Sequence, residues 1–283
     1  MSAAPQPLTP HAGRRGRRRL AGLRVLVTGA SSGVGAAVAR VLAARGGRVL
    51  ATARRGDRLA ALSAEAAAAA PILWEAGDVT EPGFRRHLVD VAAERLGGLD
   101  ILVAAAGCGA IGPFADATPA TLDRVFDLDF RAPVELVRLC LPLLRCGVDP
   151  AVVFVGSILG LHPLPLHAEY CAAKAALASF AGSLRVELAA DDIDVALVSL
   201  GPTESEFWSG LVAGERPAWS RGVQMPAAAA AEAIASGLER RSRDILPGWR
   251  ARGFALAARL APGIIDAVTA RRLQAAARQK RPS

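Results

Sequence analysis

One serine, one tyrosine and one lysine are spaced so that they could exchange a proton with a substrate oxygen. Ser157 ends the apolar run AVVFVGS, Tyr170 follows thirteen residues later, and Lys174 comes four residues after the tyrosine. Tyr170 is the only tyrosine in the chain, and Lys174 is one of only two lysines. If the segment after Ala168 is helical, residues four apart share one face, so the ammonium stands beside the phenol.

The ammonium of Lys174 is expected to favour the ionised form of the phenol. At a separation of about 4 Å and an effective dielectric constant of about 20, the attraction is about 4 kcal/mol, which lowers the pKa of Tyr170 by about 3. A phenol that titrates nearer neutrality exchanges a proton with an alcohol or carbonyl oxygen. The hydroxyl of Ser157 is expected to hold that same oxygen.

A glycine-rich turn near the N-terminus is typical of a dinucleotide site. In RVLVTGASSGVGAAVARVLAA, a buried strand precedes the turn and an alanine-rich helix follows it. Glycines at such a turn let the backbone approach a pyrophosphate, which free N–H groups and the positive end of the helix then hold. The turn residues expected to contact the cofactor are Gly29, Ser31, Ser32, Gly33, Val34 and Gly35.

The residues after the second strand favour NADP over NAD. A carboxylate there would accept hydrogen bonds from a free ribose 2′-OH, whereas arginine would hold a 2′-phosphate. The chain has Arg54 and Arg55 at this point and no carboxylate beside them. The alternative is that these arginines only form a solvated turn. Asp78, after the third strand, would either accept a hydrogen bond from the adenine amino group or cap the helix entered near Pro82.

Strands and helices alternate along residues 22–247, which predicts an α/β fold. The expected architecture is a Rossmann-like, doubly wound parallel sheet of about seven strands with helices on both faces. Ligands of such sheets bind at the carboxyl ends of the strands. The long helical region 118–146 is predicted to be interrupted near Pro133, because proline lacks the N–H that a helix needs.

Three flanking or connecting segments are assigned separately. Residues 1–21 are predicted to be a disordered basic arm, with Arg14–Arg19 either solvated or touching an acidic partner. Residues 203–225 are interpreted as a mobile cover over the site. Residues 248–283 form an amphipathic helical extension. Packing on the body is favoured for it, with a membrane surface, closure of the substrate pocket and a partner subunit left as alternatives.

Charge and composition argue against several classes of protein. The net charge is +8, but residues 1–22 carry five arginines and no acid, and residues 239–283 carry eleven Arg or Lys and three acids. The remaining body is slightly acidic, unlike a nucleic-acid-binding domain. The four cysteines lack disulfide or metal-ligand spacing, so no metal site is predicted. With no visible secretory signal and no apolar run of about 20 residues, a cytoplasmic location is expected.

Taken together, the motifs resemble the short-chain dehydrogenase/reductase family of the classical type. The matching residues are Thr28 to Gly35, Asp78 and Val79, Ala106 and Gly107, Ser157, Tyr170 and Lys174, and Gly201 and Pro202. The resemblance implies reversible hydride transfer between NADP, with NAD as the alternative, and a small-molecule carbonyl or secondary alcohol. It also implies a homodimer or homotetramer.

The resemblance assigns a role to each matching residue. Tyr170 becomes the acid/base, Ser157 polarises the substrate oxygen, and Lys174 lowers the phenol pKa and binds the nicotinamide ribose. Further cofactor contacts are implied for Arg54, Arg55, Asp78, Val79, Ala105, Ala106, Gly107, Gly201, Pro202, Thr203 and Ser205.

The chain departs from the family pattern where asparagine is usual, and it contains no asparagine. Ala104 and Ala105 replace a pair of asparagines, one of which braces neighbouring strands. Asp129 stands where the fourth catalytic residue is expected, and there it would support a water leading to Lys174. Its negative charge is expected to weaken the pull of Lys174 on Tyr170. These departures keep open an alternative function, a nucleotide-sensing or scaffolding protein on the same fold.

Overall fold

The protein is described by a computed structural model that covers residues 16–66, 71–216 and 222–279, with side chains to residue 275. Its centre is a sheet of seven parallel strands in the order β3-β2-β1-β4-β5-β6-β7. The strands are β1 (Arg24–Thr28), β2 (Arg48–Ala53), β3 (Ile72–Ala76), β4 (Ile101–Ala104), β5 (Ala151–Ser157), β6 (Asp194–Leu200) and β7 (Asp244–Ile245). The predicted doubly wound parallel sheet is therefore confirmed.

Helices cover both faces of the sheet and separate its strands along the chain. They are α1 (Gly33–Ala44), α2 (Gly56–Glu65), α3 (Pro82–Val91), α4 (Pro119–Phe126), α5 (Ala132–Arg145), α6 (Ala168–Glu187), α7 (Ala227–Glu239), α8 (Trp249–Leu260) and α9 (Pro262–Gln279). Successive strand residues point to opposite faces. Val25 and Val27 accordingly pack with α1 and α7, whereas Leu26 packs in the other core with α5 and α6.

The order of the strands reverses between β1 and β4. The chain first runs outward from β1 to β3 and then returns to place β4 on the other side of β1. Connections that leave neighbouring strands in opposite directions open a crevice at their carboxyl ends. The turn after β1 and the loop after β4 both face this crevice.

The predicted interruption near Pro133 is not a break between helices. A π-helical segment, Asp127–Arg131, joins α4 directly to α5, and Pro133 lies in the first turn of α5. The wider turn accommodates the proline, which has no N–H to donate to the carbonyl of Asp129 four residues earlier.

The predicted disordered arm ends earlier than residue 21. Arg18 is only 3% exposed and Leu20 4% exposed. The Arg18 guanidinium donates to the Asp194 carboxylate at 2.6 Å and to the Leu238 carbonyl at 2.9 Å. The prediction of disorder is wrong for residues 16–21, because these contacts hold them at the amino ends of the strands, opposite the crevice. Residues 1–15 lie outside the described part of the chain.

The C-terminal extension is helical, as predicted, and packs on the body through a few side chains. Ala251 is buried, and His162 lies 2.9 Å from a carboxylate oxygen of Asp266. Much of the apolar surface of α8 and α9 remains exposed, including Trp249 and Leu260. Across the described residues, no single helix is long and apolar enough to cross a membrane, although α8 and residues 262–275, bent by 111°, meet that test together.

Candidate active site

A single continuous cavity of about 640 Å³ runs along the carboxyl ends of the strands. It brings together Ser157, Tyr170, Lys174 and every residue that the sequence assigned to the cofactor. The predicted site residues in its wall are Arg54, Arg55, Ser31, Ser32, Asp78, Val79, Gly29, Gly33, Val34, Gly35, Ala105, Ala106, Gly107, Tyr170, Lys174, Ser157, Gly201, Pro202, Thr203 and Ser205. Asp129 is the one predicted site residue that does not line it.

The glycine turn fits a dinucleotide because side chains are excluded from it. Gly29 has a φ of +70°, and a Cβ on it would come within 2.7 Å of the Ala106 backbone. A Cβ on Gly35 would come within 2.3 Å of the Gly29 carbonyl oxygen. Ser32 precedes α1 but makes no capping hydrogen bond with its side chain. The first residues of α1 line the cavity and no described side chain caps them, an arrangement suited to a pyrophosphate.

In the absence of the usual asparagine, the side chain of Thr28 joins the end of β1 to the backbone after β4. Its Oγ1 accepts hydrogen bonds from the backbone N–H groups of Ala105 at 3.0 Å and Ala106 at 3.1 Å. These bonds fix the backbone after β4 against the turn after β1. Sequence reasoning missed this role, although a threonine at a strand end beside a glycine turn was the available signal.

The adenosine end of the cavity is defined by Arg55 and Asp78. The Arg55 guanidinium donates to the hydroxyls of Ser31, at 3.0 Å, and Ser32, at 2.8 Å. Asp78 accepts from the N–H and the hydroxyl of Thr80. Burial raises the pKa of Asp78, but these bonds outweigh burial and hold it below its usual value. Asp78 does not cap α3, since the residue at that position is Glu81.

The predicted catalytic end of the cavity is built from β5 and α6. Ser157 ends β5, and its hydroxyl lies beside the phenol of Tyr170, whose pKa it lowers. One helical turn after Tyr170, Lys174 is 5% exposed and donates to the Val155 carbonyl at 3.2 Å. Its Nζ lies 5.8 Å from the centroid of the Tyr170 ring. The two hydroxyls therefore converge on one point of the cavity, with a fixed cation beside them.

The prediction of a net fall in the pKa of Tyr170 is wrong for this arrangement. Burial raises the pKa of Tyr170 above its usual value, and the Asp129 carboxylate raises it further, while the Ser157 hydroxyl opposes the rise. An ionised phenol is costly in a low-dielectric site, and here the charge of Asp129 counters that of Lys174. Tyr170 consequently holds its proton strongly.

Asp129 lies behind Lys174, away from the cavity, and is 1% exposed. Its Oδ1 accepts from the Cys108 N–H at 2.9 Å and lies 3.6 Å from the Lys174 Nζ. Its Oδ2 has no hydrogen-bond partner among the described residues. Burial raises the pKa of Asp129, against the opposing pull of Lys174. The predicted proximity of Asp129 to Lys174 is confirmed, and Asp129 does not line the cavity.

The segment after β6 covers the catalytic end. The ring of Phe207 packs edge-on against Tyr170, with 5.4 Å between centroids. Further along, Val212 donates its N–H to the Gly109 carbonyl at 2.8 Å. The segment thus lies over the site as predicted, while its mobility stays a prediction. Trp219 of the same predicted cover lies outside the described residues.

The substrate side of the cavity is mostly apolar. Residues beyond the catalytic trio are contributed by the loop after β5, by the cover and by α9. They are Ile158, Leu159, Leu164, His167, Phe207, Trp208 and Arg272. Because Arg272 belongs to α9, the C-terminal extension forms part of the wall of the pocket. Sequence analysis identified neither His167 nor Arg272 as a residue of the pocket.

Comparisons with known proteins agree with this geometry. The family model for short chain dehydrogenases matches residues 24–216. A short chain dehydrogenase of Pseudocercospora fijiensis is 35% identical over 67% of this chain and 62% of its own length. A cis-4-hydroxycyclohexanecarboxylate dehydrogenase of Sinomonas cyclohexanicum is 36% identical over 68% of this chain and 77% of its own.

A solved structure extends the similarity to most of the fold. The crystal structure of a short-chain dehydrogenase from Streptomyces avermitilis superimposes with a TM-score of 0.74 at 29% identity, covering 92% of this chain and 99% of the other. The chain spans less than two thirds of the length of the relative from Pseudocercospora fijiensis. On the family match and the shared fold, the chain belongs to the short-chain dehydrogenase/reductase family.

Proposed function

We propose that the protein is an NADP-dependent dehydrogenase/reductase that interconverts a carbonyl and a secondary alcohol. One observation carries this proposal: the Ser157–Tyr170 hydroxyl pair, with Lys174 one turn away, lies in the same cavity as the glycine turn. A proton donor and a dinucleotide cradle that share one cavity are what carbonyl reduction requires.

Each residue of the site has a distinct role in the proposed reaction. A bound nicotinamide supplies or accepts the hydride. During reduction, Ser157 donates a hydrogen bond to the carbonyl oxygen and Tyr170 delivers its proton to that oxygen. The phenolate that results lies beside the Lys174 ammonium, which stabilises the negative charge. Thr28 keeps the backbone of Ala105 and Ala106 in place along the cofactor.

The raised pKa of Tyr170 favours reduction at neutral pH. A phenol that holds its proton strongly is in the acid form needed to protonate a carbonyl oxygen. The reverse reaction needs the phenolate, so oxidation of the alcohol is expected to rise with pH into the alkaline range. A reductase under neutral conditions is the direction that we infer.

The preference for NADP rests on the cations at the adenosine end. Arg54 and Arg55 both line the cavity after β2, where a ribose-reading carboxylate would otherwise lie. Arginine binds phosphate with planar, paired hydrogen bonds, which a free 2′-OH cannot reciprocate.

The substrate is proposed to be a lipophilic, cyclic ketone or alcohol. The wall beyond Tyr170 is largely apolar and includes Phe207, Trp208, Leu159 and Leu164. The relative from Sinomonas is named for a cyclic hydroxy acid, and Arg272 provides a cation at the wall that would suit a carboxylate. A homodimer or homotetramer and a cytoplasmic location stay predictions.

Consumption of NADPH and NADH with a panel of cyclic ketones tests the proposal. We expect turnover with NADPH on at least one ketone at neutral pH. When NADPH carries deuterium at the transferable position, the label is expected at the carbinol carbon of the product, detected by mass spectrometry. Turnover without transfer of the label would contradict direct hydride transfer.

A second function is favoured by one specific observation. Asp129 counters Lys174, and the phenol of Tyr170 is harder to ionise than an ordinary tyrosine. A nucleotide-sensing or scaffolding protein would tolerate that combination. This alternative predicts that NADPH binds tightly while no ketone of the panel is reduced.

A further inference from the structure

We propose that Glu206 sets the preference between NADPH and NADH, because its carboxylate occupies the guanidinium groups that a 2′-phosphate would use. The inference rests on the proposed function, in which Arg55 binds that phosphate. Glu206 belongs to the cover segment after β6, in the 3₁₀ turn Glu206–Trp208. Nothing in the motif that identifies the cofactor site includes it.

The contacts of Glu206 are those of a bound anion. One carboxylate oxygen lies 2.5 Å from the Arg55 Nη1, and the other lies 3.6 Å from the Arg58 Nη2. The Ser32 hydroxyl also lies beside the carboxylate and lowers its pKa. The Arg55 bond, followed by the charges of Arg55 and Arg58, holds the pKa of Glu206 below its usual value. The side chain therefore remains ionised through the neutral range.

Four of the five N–H groups of Arg55 already donate hydrogen bonds, and the nearest anion to the guanidinium is the Glu206 carboxylate. Its Nε and Nη2 donate to Ser31 and Ser32, and its Nη1 donates to Glu206. A 2′-phosphate that binds here has to displace the carboxylate or accept its repulsion. NADH carries no 2′-phosphate, so it does not compete with Glu206 for Arg55. Glu206 consequently penalises NADPH and leaves NADH nearly unaffected.

The same turn links the adenosine end to the catalytic end. Phe207, the next residue, packs on the ring of Tyr170. Release of Glu206 from Arg55 by a 2′-phosphate would therefore act on the segment that covers Tyr170.

Binding titrations of the full chain with NADPH and with NADH test the inference, using quenching of tryptophan fluorescence. Glu206→Gln keeps the size of the side chain and removes its charge. It is expected to tighten NADPH binding about fivefold to tenfold, the range for one exposed ion pair plus relief of like-charge repulsion. NADH binding is expected to change less than about twofold. Glu204→Gln, an exposed acid two residues earlier, is the matched control and should alter neither.

Arg55→Ala separates failure of the inference from failure of the proposed function. If Arg55→Ala weakens NADPH binding but spares NADH, and the gain from Glu206→Gln disappears in the double variant, both proposals are supported. If Arg55→Ala weakens NADPH selectively but Glu206→Gln leaves the ratio of the two dissociation constants unchanged, the inference is overturned while the function stands. If Arg55→Ala affects both nucleotides equally, the NADP assignment fails first and the inference fails with it.

Discussion

Replacing Asp129 by asparagine is expected to make Tyr170 easier to ionise. Because 3.6 Å separates the Asp129 Oδ1 from the Lys174 Nζ, and 5.8 Å separates that Nζ from the Tyr170 ring centroid, Oδ1 lies at most about 9.4 Å from the ring. At an effective dielectric constant of about 20, a unit charge at that distance is worth about 1.8 kcal/mol, or slightly more than one pK unit. Asp129→Asn should therefore lower the pKa of Tyr170 by at least about one unit.

The composition of the chain makes this pKa directly measurable. Tyr170 is the only tyrosine, so the near-ultraviolet absorbance of tyrosinate reports its ionisation alone. The wild-type titration is expected above the pKa of free tyrosine, because burial and Asp129 both raise it. Far-ultraviolet circular dichroism at each pH separates ionisation in the fold from alkaline unfolding.

Asp127→Asn is the matched control for this titration. Asp127 belongs to the same π-helical segment, but it is exposed and paired with Arg131. Its replacement should leave the tyrosinate titration where it is. An unchanged titration in Asp129→Asn, or an upward one, would refute the argument that Asp129 counters Lys174.

Three further changes test the scaffold of the site. Gly29→Ala places a Cβ within 2.7 Å of the Ala106 backbone at a φ of +70°. Titration with NADPH should therefore show binding weakened by about 2 kcal/mol or more. The control Gly182→Ala, in open space on α6, should leave NADPH binding unchanged. Asp100→Ala removes the buried carboxylate that binds Arg24 and the Val148 N–H, so urea unfolding at neutral pH should show a loss of about 3–5 kcal/mol. Burial raises the pKa of Asp100, but its hydrogen bonds outweigh burial and the folded pKa is lowered. This stabilisation is therefore present above about pH 4 and is lost as the pH falls through the folded pKa. The free energy of unfolding of Asp100→Ala should consequently vary less with pH in the acid range than that of the wild type. Arg18→Ala should lower the free energy of unfolding by about 3–5 kcal/mol in the same assay, because Asp194 and the Leu238 carbonyl lose this donor. The control Arg19→Ala, at an exposed position, should lower it by less than about 0.5 kcal/mol.

The sheet and the members of the site were predictable because their signals are local. Each motif residue follows a short apolar strand, and parallel strands bring their carboxyl ends to one edge. That rule alone was enough to place Arg55, Asp78, Gly107 and Ser157 along one cavity, without any knowledge of side-chain contacts.

The energetics of the site were not predictable from spacing. The four-residue interval between Tyr170 and Lys174 gives their proximity, but burial and the charge of Asp129 decide which form of the phenol is favoured. The position of Asp129 against Lys174 depends on how the π-helical segment packs on α6, which no local pattern specifies.

Contacts between segments distant in sequence could also not be predicted from local patterns. Arg55 and Glu206 are 151 residues apart and meet only because the cover segment folds over the glycine turn. Arg18 looked like part of a solvated basic run, yet its carboxylate partner, Asp194, lies 176 residues away. The interruption expected near Pro133 takes the form of a π-helical segment, Asp127–Arg131, just before the proline.

The central claim is that the phenol of Tyr170 transfers the proton that accompanies hydride transfer in this cavity. The direct measurement is the rate of NADPH oxidation with a ketone reduced by the wild-type chain, compared with Tyr170→Phe at equal saturation with NADPH. We predict that Tyr170→Phe binds NADPH as the wild type does but loses activity by about a hundredfold or more, the usual contribution of a general acid. Reduction of the ketone by Tyr170→Phe at a rate close to that of the wild type would contradict the account.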